Sequence, residues 1–232
     1  MKIVHVEDYF DPTAGYQINE LLYAGKDLKD EVYLVTSTDM TPFHKKVDVS
    51  LDRKFERLTG VKIYRLKPVL KISTRLLLKD FRKTIKQINP DVVFMHGIGD
   101  FKDLQLWGKK PHYKVIRDCH MAWVASRNKF RYLYYFFFKY FFAGIINRTD
   151  KYEIIFAVGI EPYEYLKRLG IKDEKIDFLP LGYNPSVMYY DDGGRNNIRK
   201  IYKFGKEDII ISYIGKFNDF KCPDLILDII DK

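Results

Sequence analysis

The chain contains 232 residues with a net charge of +9, and 47% of its residues are hydrophobic. This length allows one large domain, or one domain with part of a second, and the apolar content is enough for a full buried core. The positive charge favours a partner that carries phosphate, whether a nucleotide, an anionic membrane surface or nucleic acid. Charge alone does not choose among these three.

Cysteine content and hydropathy narrow the class of protein further. The two cysteines, Cys119 and Cys222, are far apart and form no CxxC pair, which favours a reducing cytoplasm. Glu7 and Asp8 interrupt the first apolar run, so no signal peptide is predicted. The longest apolar stretch contains Lys139 and is too short to span a bilayer.

Short apolar strands alternate with helical patterns over most of the chain. The first strand, helix and second strand follow each other through short turns, which predicts a βαβ unit and therefore a parallel sheet. The predicted strands are residues 2–6, 31–36, 61–66, 91–95, 112–117, 153–158 and 175–179, and the predicted helices are residues 16–29, 71–88, 124–147 and 162–169.

Composition changes after the seventh predicted strand. Residues 180–194 are rich in Pro, Gly, Asn and Asp, and residues 181–207 are predicted to be a linker. Residues 208–214 form a strongly apolar predicted strand, and a helix begins near residue 224. A lone strand and helix cannot bury two faces. We therefore predict a Rossmann-like, doubly wound α/β domain over residues 1–180, and the incomplete start of a second domain over residues 208–232.

The first predicted strand leads into a loop with Pro12 and Gly15 and then into a helix that begins near Tyr16. This order is typical of the opening of a nucleotide-binding α/β domain. Gly15 allows the backbone to approach a ligand closely, and the amides of the following helix start favour an anion. The alternative is a plain tight turn between strand and helix.

Two histidines follow predicted parallel strands, where open α/β sheets bind ligands. His120 follows the fifth strand and can hydrogen-bond a hydroxyl or stabilise charge near neutral pH. Its alternative is a loop histidine that caps a backbone group. His96 follows the fourth strand, where structural packing is equally compatible with the sequence. His5 lies within the first strand and is predicted to be a core residue.

Five segments, taken in order and spacing, resemble family 4 glycosyltransferases, which are retaining enzymes with two facing Rossmann-like domains (the GT-B fold). The resemblance covers nearly the whole chain. The segments are PTAGY at residues 12–16, DVVFMH at 91–96, RDCHMAW at 117–123, FAVGIEPYEYLKRLGIKDEKIDFLPLGYNP at 156–185 and IGKFNDFKCPDLILDI at 214–229.

The chain departs from the family pattern at several positions. Tyr16 replaces a glycine, Leu181 an asparagine and Cys222 a glycine, while Lys216 stands where arginine is commonest. The E-x7-E segment and the rest of the donor-binding domain are missing. We therefore expect the chain to be a truncated form that is inactive by itself.

The resemblance implies roles for individual residues. It implies that His120 is the catalytic residue that contacts the transferred sugar or helps to position the reacting centre. It places His96 and Tyr16 on the acceptor side of the cleft. It implies that Gly15, Lys216 and Lys221 bind the phosphates of the donor, although two surface lysines on a basic protein are the alternative reading of the last pair.

Basic residues are concentrated in one part of the chain. Residues 45–86 hold 14 Lys or Arg and 4 Asp or Glu. In the predicted helix over residues 71–88, the basic side chains lie largely opposite an apolar stripe. Such a helix fits an anionic membrane surface, and an ordinary solvated face is the equal alternative.

Aromatic residues are concentrated in residues 131–142 (RYLYYFFFKYFF). They indicate either contact with a lipid interface or a core helix. No nucleic-acid-binding motif is present, so nucleic acid is not predicted as a partner. No set of side chains has metal-ligand spacing, so neither a metal nor a cofactor is predicted beyond a nucleotide-sugar co-substrate.

These observations support two hypotheses of different classes. The first is a retaining glycosyltransferase that moves a sugar from a nucleotide-diphosphate sugar to a hydroxyl of a cell-envelope or surface glycan or a lipid-linked acceptor. It would act in the cytoplasm, at the inner face of the membrane. The second is a non-catalytic module that binds acceptor, membrane or a partner transferase. A different two-domain Rossmann protein is a third, less favoured reading.

Overall fold

The computed structural model describes residues 1–105, 112–122, 130–148, 152–214 and 223–226. The chain divides into two compact units, Met1–Asn184 and Pro185–Lys232. The predicted donor-binding residues Lys216 and Lys221 lie outside the described residues, as does the start of the helix predicted over residues 124–147.

The first unit is a parallel sheet covered by helices. Its strands are β1 (Lys2–Val6), β2 (Glu31–Ser37), β3 (Lys62–Leu66), β6 (Val92–Met95), β7 (Lys114–Cys119), β8 (Tyr152–Ala157) and β9 (Ile176–Phe178), and a separate hairpin consists of β4 (Pro68–Ile72) and β5 (Arg75–Leu78). The helices of this unit are α1 (Gln17–Ala24), α2 (Val49–Thr59), α3 (Phe81–Ile88), α4 (Lys102–Gln105), α5 (Arg131–Phe137), α6 (Ala143–Arg148) and α7 (Ile160–Arg168).

The seven sheet strands lie in the order β3-β2-β1-β6-β7-β8-β9, and every pair is parallel. This confirms the predicted Rossmann-like α/β fold. The direction of winding reverses between β1 and β6, and in open α/β sheets ligands bind at the carboxyl ends of the strands beside such a reversal. Because Val6 pairs with Met95, and Met95 with Arg117, three strands end side by side there.

Alternate residues of the strands enter two different apolar clusters. In β2, Tyr33 and Val35 belong to the larger cluster, and Val32 and Leu34 to the smaller one. This alternation is the two-residue period of a strand whose two faces are both covered. The rigid sheet therefore fixes the positions of the residues that follow its strands.

The helix predicted over residues 71–88 is wrong over its first half. Residues 68–78 form the antiparallel hairpin β4–β5, and only Phe81–Ile88 is helical. Ser73 in the turn and Asp80 before the helix both have positive φ, of 56° and 57°, which an α-helix does not accommodate. Leu77 has helical spacing with the apolar residues of α3, which led to the prediction of one long helix. In the structure Leu77 belongs to β5, where the buried side chains alternate with a period of two. The basic helix proposed as a membrane-binding element is thus not present as one element.

Helix α2 was not predicted. Asp48 caps its amino terminus by accepting hydrogen bonds from Ser50 N and Leu51 N, at 2.8 Å and 3.4 Å. Gly60 ends it with a φ of 77°. Both are ordinary helix-boundary signals that mark residues 48–60 as a helix. Most other predicted strand and helix ends differ from the observed ones by one to three residues, as helix and strand boundaries commonly do.

The second unit differs from its prediction in two places. Residues 181–207, predicted as a linker, contain the helix α8 (Asp192–Ile201). Residues 208–214, predicted as a strand, are described and adopt no strand, and Ile209 and Ile214 are 91% and 96% exposed. A strand needs a neighbour for its backbone hydrogen bonds, and the described residues supply none here.

The aromatic segment is one continuous helical run made of α5, a π-turn (Phe138–Phe142) and α6. Among the described residues, no helix is both long enough and apolar enough to cross a bilayer.

Candidate active site

Ionisable side chains follow β1, β6 and β7 where these strands end beside the reversal of winding. Glu7 and Asp8 come after β1, His96 after β6 and His120 after β7. The amide of His96 donates to Val6 O at 3.0 Å, which continues the β1–β6 pairing into the site. The parallel register therefore brings together residues that are about 90 positions apart in the sequence.

Asp118 is the centre of a hydrogen-bonded group at this edge. Its Oδ2 atom lies 2.7 Å from His96 Nδ1 and 3.3 Å from His120 Nε2, and its Oδ1 atom accepts from Gly97 N at 2.7 Å. Burial alone would raise the pKa of this carboxyl, but the hydrogen bonds from His120 and His96 lower it below its ordinary value. Asp118 is therefore a buried carboxylate with two imidazole partners.

His120 is the most accessible member of the group, with its side chain 36% exposed. Burial lowers the pKa of its imidazole, but the hydrogen bond to Asp118 and the charge of that carboxylate outweigh burial and raise the pKa above its ordinary value. His120 thus keeps its proton to a higher pH than a free histidine. It presents a hydrogen-bond donor and a positive charge at the edge of the sheet.

His96 lies in the interior, with its side chain 7% exposed. Its Nε2 atom is 3.0 Å from His5 Nδ1. Since the Asp118 carboxylate can only accept, we assign the His96 proton to Nδ1, so that Nε2 accepts from His5. Burial and the neighbouring His96 lower the pKa of His5 to about 3, so His5 is a neutral donor. His96 is thus buried and is linked to His120 through Asp118.

His5 is buried, as predicted for a core residue. The sequence did not predict that His5 belongs to a hydrogen-bonded network with His96, Asp118 and His120. No local motif indicates this network, because only the parallel register brings β1 beside β6. Asp118 was missed for a related reason, since it lies inside the strand run that precedes His120.

A second buried charged cluster borders the first, and it too was missed. Lys102 Nζ lies 3.1 Å from Asp8 and 2.9 Å from Asp100. Arg117 is 0% exposed and pairs with Asp100 at 2.9 Å and Asp103 at 2.6 Å. Its Nε and Nη2 atoms also donate to Gly97 O, at 2.9 Å and 2.6 Å. These contacts fix the loop after β6 against the end of β7.

Two carboxyls after β1 have raised pKa values. Burial raises the pKa of Glu7, and Lys102 offsets this only in part. Burial likewise raises the pKa of Asp8 against the attraction of Lys102. Glu7 Oε1 accepts from the Asp8 amide at 3.0 Å. The edge of the sheet therefore combines a carboxylate at Asp118 with carboxyls that retain protons more readily.

The loop between β1 and α1 has the geometry expected of a glycine turn. Gly15 has a φ of 63°, and a Cβ atom built there would meet nothing within 4 Å. The space beside its backbone is open, as a ligand-binding loop requires. Tyr16 is 53% exposed, and its ring lies 5.8 Å from that of Phe43. The loop itself is held by Asp11, which accepts from Thr13 N at 2.9 Å and from Lys45 Nζ at 2.7 Å.

Among the described residues, no group of three or more His, Cys, Asp and Glu side chains could hold a metal ion.

Residues 14–187 match the family model described as Glycosyltransferase Family 4. This is most of the chain, so the chain belongs to that family of glycosyltransferases, as the sequence motifs predicted. None of the curated proteins compared with the chain matches it.

Several solved structures share the fold. The sucrose-phosphate synthase of Thermosynechococcus elongatus aligns with a TM-score of 0.59 and 14% identity, over 94% of this chain and 56% of its own. The HepE protein of Anabaena, in complex with UDP and glucose, aligns with a TM-score of 0.54 and 11% identity, over 88% of this chain and 50% of its own. A glycosyltransferase from Rickettsia africae aligns with a TM-score of 0.53 and 14% identity, over 89% of this chain and 50% of its own. The chain spans about half the length of the solved structures it matches.

Proposed function

We propose that the protein acts as a retaining glycosyltransferase that moves a sugar from a nucleotide-diphosphate sugar to a hydroxyl of a cell-envelope or surface glycan. The observation that carries this proposal is the Asp118–His120 pair, with an accessible imidazole at the ligand-binding edge of the sheet. Membership of the glycosyltransferase family supports the reaction class. The Anabaena structure with UDP and glucose motivates a nucleotide sugar as the donor.

The chemistry assigned to His120 follows from its charge and position. A protonated imidazole donates a hydrogen bond to an oxygen of the transferred sugar or of the donor phosphate, and it stabilises negative charge that develops there. Asp118 holds the His120 ring in place through Nε2, so the N–H group that donates to the substrate is oriented before the substrate binds. Orientation of this kind accounts for a large share of rate enhancement in transfer reactions.

The remaining roles belong to the same proposal. Gly15 leaves open space for a phosphate beside the start of α1. Tyr16, exposed in the same loop, contacts the acceptor. Lys216 and Lys221 bind the donor diphosphate in the second part of the chain, and the retaining outcome rests on the family resemblance.

The test measures nucleoside-diphosphate release from a panel of UDP-, GDP-, ADP- and dTDP-sugars. It is run on the 232-residue chain and on any longer product of the same reading frame. In whichever protein turns over, His120→Asn is expected to lower the rate by about 100-fold. The matched control is His112→Asn, at an exposed histidine beside the opposite end of β7, which should leave the rate unchanged. A His120→Asn protein with the full rate would show that His120 is not catalytic.

The chain spans about half the length of its structural relatives, and this favours a second candidate function. In that reading the chain is a non-catalytic module that binds an acceptor or a partner transferase. Titration calorimetry with the same nucleotide sugars separates the two functions. Turnover by the 232-residue chain excludes the binding module, whereas failure of the longest product of the reading frame to bind any nucleotide sugar excludes the transferase.

A further inference from the structure

One face of the helical run over residues 131–148 consists of large apolar side chains that are open to solvent. Their exposed fractions lie between 49% and 68%. They form two adjacent rows in which successive members are four positions apart, so they cover one side of the helix. This aromatic face consists of Tyr132, Leu133, Phe136, Phe137, Tyr140 and Phe141.

The aromatic face is continuous, and the helix that carries it is well packed against the core on its other side. The rings of Phe136 and Tyr140 lie 4.6 Å apart, and those of Phe137 and Phe141 lie 4.7 Å apart. The opposite side of the same helix is buried in the core through residues such as Phe138, which is 1% exposed. The helix therefore already has its place in the fold, and the aromatic face is a second apolar side. Contiguous exposed apolar patches of this kind mark interaction sites.

The charged residues of the helical run itself are all positive. Residues 130–148 contain no Asp or Glu, and their charged residues are Arg131, Lys139 and Arg148. The Arg131 guanidinium lies over the Tyr132 ring, 4.7 Å from its centroid. Lys139 and Arg148 are exposed. A surface with aromatic rings and only positive charge is complementary to an apolar layer beneath negative headgroups.

Dimensions favour contact along a membrane rather than across it. No helix among the described residues has the length and apolar character needed to span a bilayer. Tyr and Phe rings with flanking Lys and Arg are the residues that occupy the boundary between headgroups and acyl chains. The helix can lie in that boundary with its rings inserted and its cations at the phosphates.

We propose that the aromatic face docks the protein on an anionic phospholipid surface. The charge pattern favours lipid over a second copy of the chain, because two copies meeting through this face would bring positive charges of equal sign together. The location also differs from the basic helix predicted over residues 71–88, which does not exist as one element. This inference does not depend on the transferase activity.

The experiment is flotation of the 232-residue chain with phosphatidylcholine vesicles, prepared with and without phosphatidylglycerol. We expect binding to the anionic vesicles, and a weakening of about tenfold or more when Phe137→Ser and Phe141→Ser are combined. The matched control is Tyr189→Ser with Tyr190→Ser, at two aromatic residues of the second unit that are 68% and 79% exposed. The control should bind as well as the unchanged chain.

Lys139→Gln tests the charge separately and is expected to weaken binding only to the anionic vesicles. Circular dichroism and the melting temperature verify that each variant is folded, as is expected for changes at exposed side chains. The proposal would be overturned if the ring variant (Phe137→Ser with Phe141→Ser) floated as well as the Tyr189→Ser, Tyr190→Ser control. It would also be overturned if the unchanged chain did not float with the vesicles. A dimer in sedimentation analysis that disappears in the ring variant would also overturn it, since a second copy would then cover the face.

Discussion

Asp118 lies at the end of β7, where its carboxylate contacts two imidazole rings and the Gly97 amide. Of these residues, His120 and His96 were predicted from the sequence as site candidates. Asp118 orients the rings of both histidines, and its carboxylate favours the charged form of the accessible one, His120. The chemistry of the candidate site therefore depends on a residue with no motif of its own.

Replacement of Asp118 by Asn removes the charge that raises the pKa of His120. We expect the His120 titration to move to lower pH in Asp118→Asn, as followed through the histidine ring signals in NMR spectra. The His112 signals, from an exposed ring, serve as the internal control and should be the same in both proteins. An unchanged His120 titration would show that Asp118 does not set its protonation.

The same substitution has a pH-dependent effect on stability. The raised pKa of His120 stabilises the fold fully below its unfolded value of about 6.5, and this contribution is lost as the pH rises through the folded value. The lowered pKa of Asp118 stabilises the fold above its unfolded value of about 3.9, and this contribution is lost as the pH falls through the folded value. The loss of melting temperature in Asp118→Asn should therefore be largest between about pH 4 and pH 6.5 and smaller near pH 9.

At the scale of elements, β7 carries two very different cations. Arg117 is 0% exposed and pairs with Asp100 and Asp103, while Lys114 pairs with Glu153 at 2.8 Å with both side chains more than half exposed. A buried ion pair that loses one member leaves an uncompensated charge in the interior, whereas an exposed pair contributes little. One strand thus offers a matched comparison.

Arg117→Met is expected to destabilise the protein by about 3–5 kcal/mol. Lys114→Met, on the same strand, should cost about 1 kcal/mol or less. Chemical denaturation followed by circular dichroism measures both free energies of unfolding. Similar small losses in the two variants would show that the buried cluster does not hold the loop after β6 against β7.

The hairpin β4–β5 shows how an element can be misread from its pattern. Leu77 is spaced like the apolar residues of α3, but Leu76 and Leu78 are the buried side chains of β5. A strand period and a helix period overlap when a strand leads directly into a helix. For the aromatic face, the composition of residues 131–142 was enough to single out the segment. Which of its rings face outward could be seen only from the packing of the helix.

At the scale of the whole molecule, the buried side chains are unevenly distributed. Among the described residues, every buried apolar side chain lies in the first unit, the last being Ile171, and no residue of the second unit is buried. The described core residues that hold the candidate site therefore all lie within residues 1–184.

A chain of residues 1–184 is expected to unfold cooperatively, with a free energy of unfolding within about 0.5 kcal/mol of that of the 232-residue chain. Chemical denaturation of both proteins, with histidine NMR spectra as a check on the site, provides the comparison. A large loss of stability in the shorter chain would show that the second unit supports the first.

The sequence by itself determined the α/β class, the parallel sheet, the family and the position of His120 after a strand. These follow from local patterns: alternating strands and helices, glycine turns and short motifs at fixed spacing. Only the tertiary structure decided the partners of His120. Asp118, His96 and His5 come together through the parallel register of β1, β6 and β7, and register is set by packing of the whole sheet rather than by neighbours in the chain.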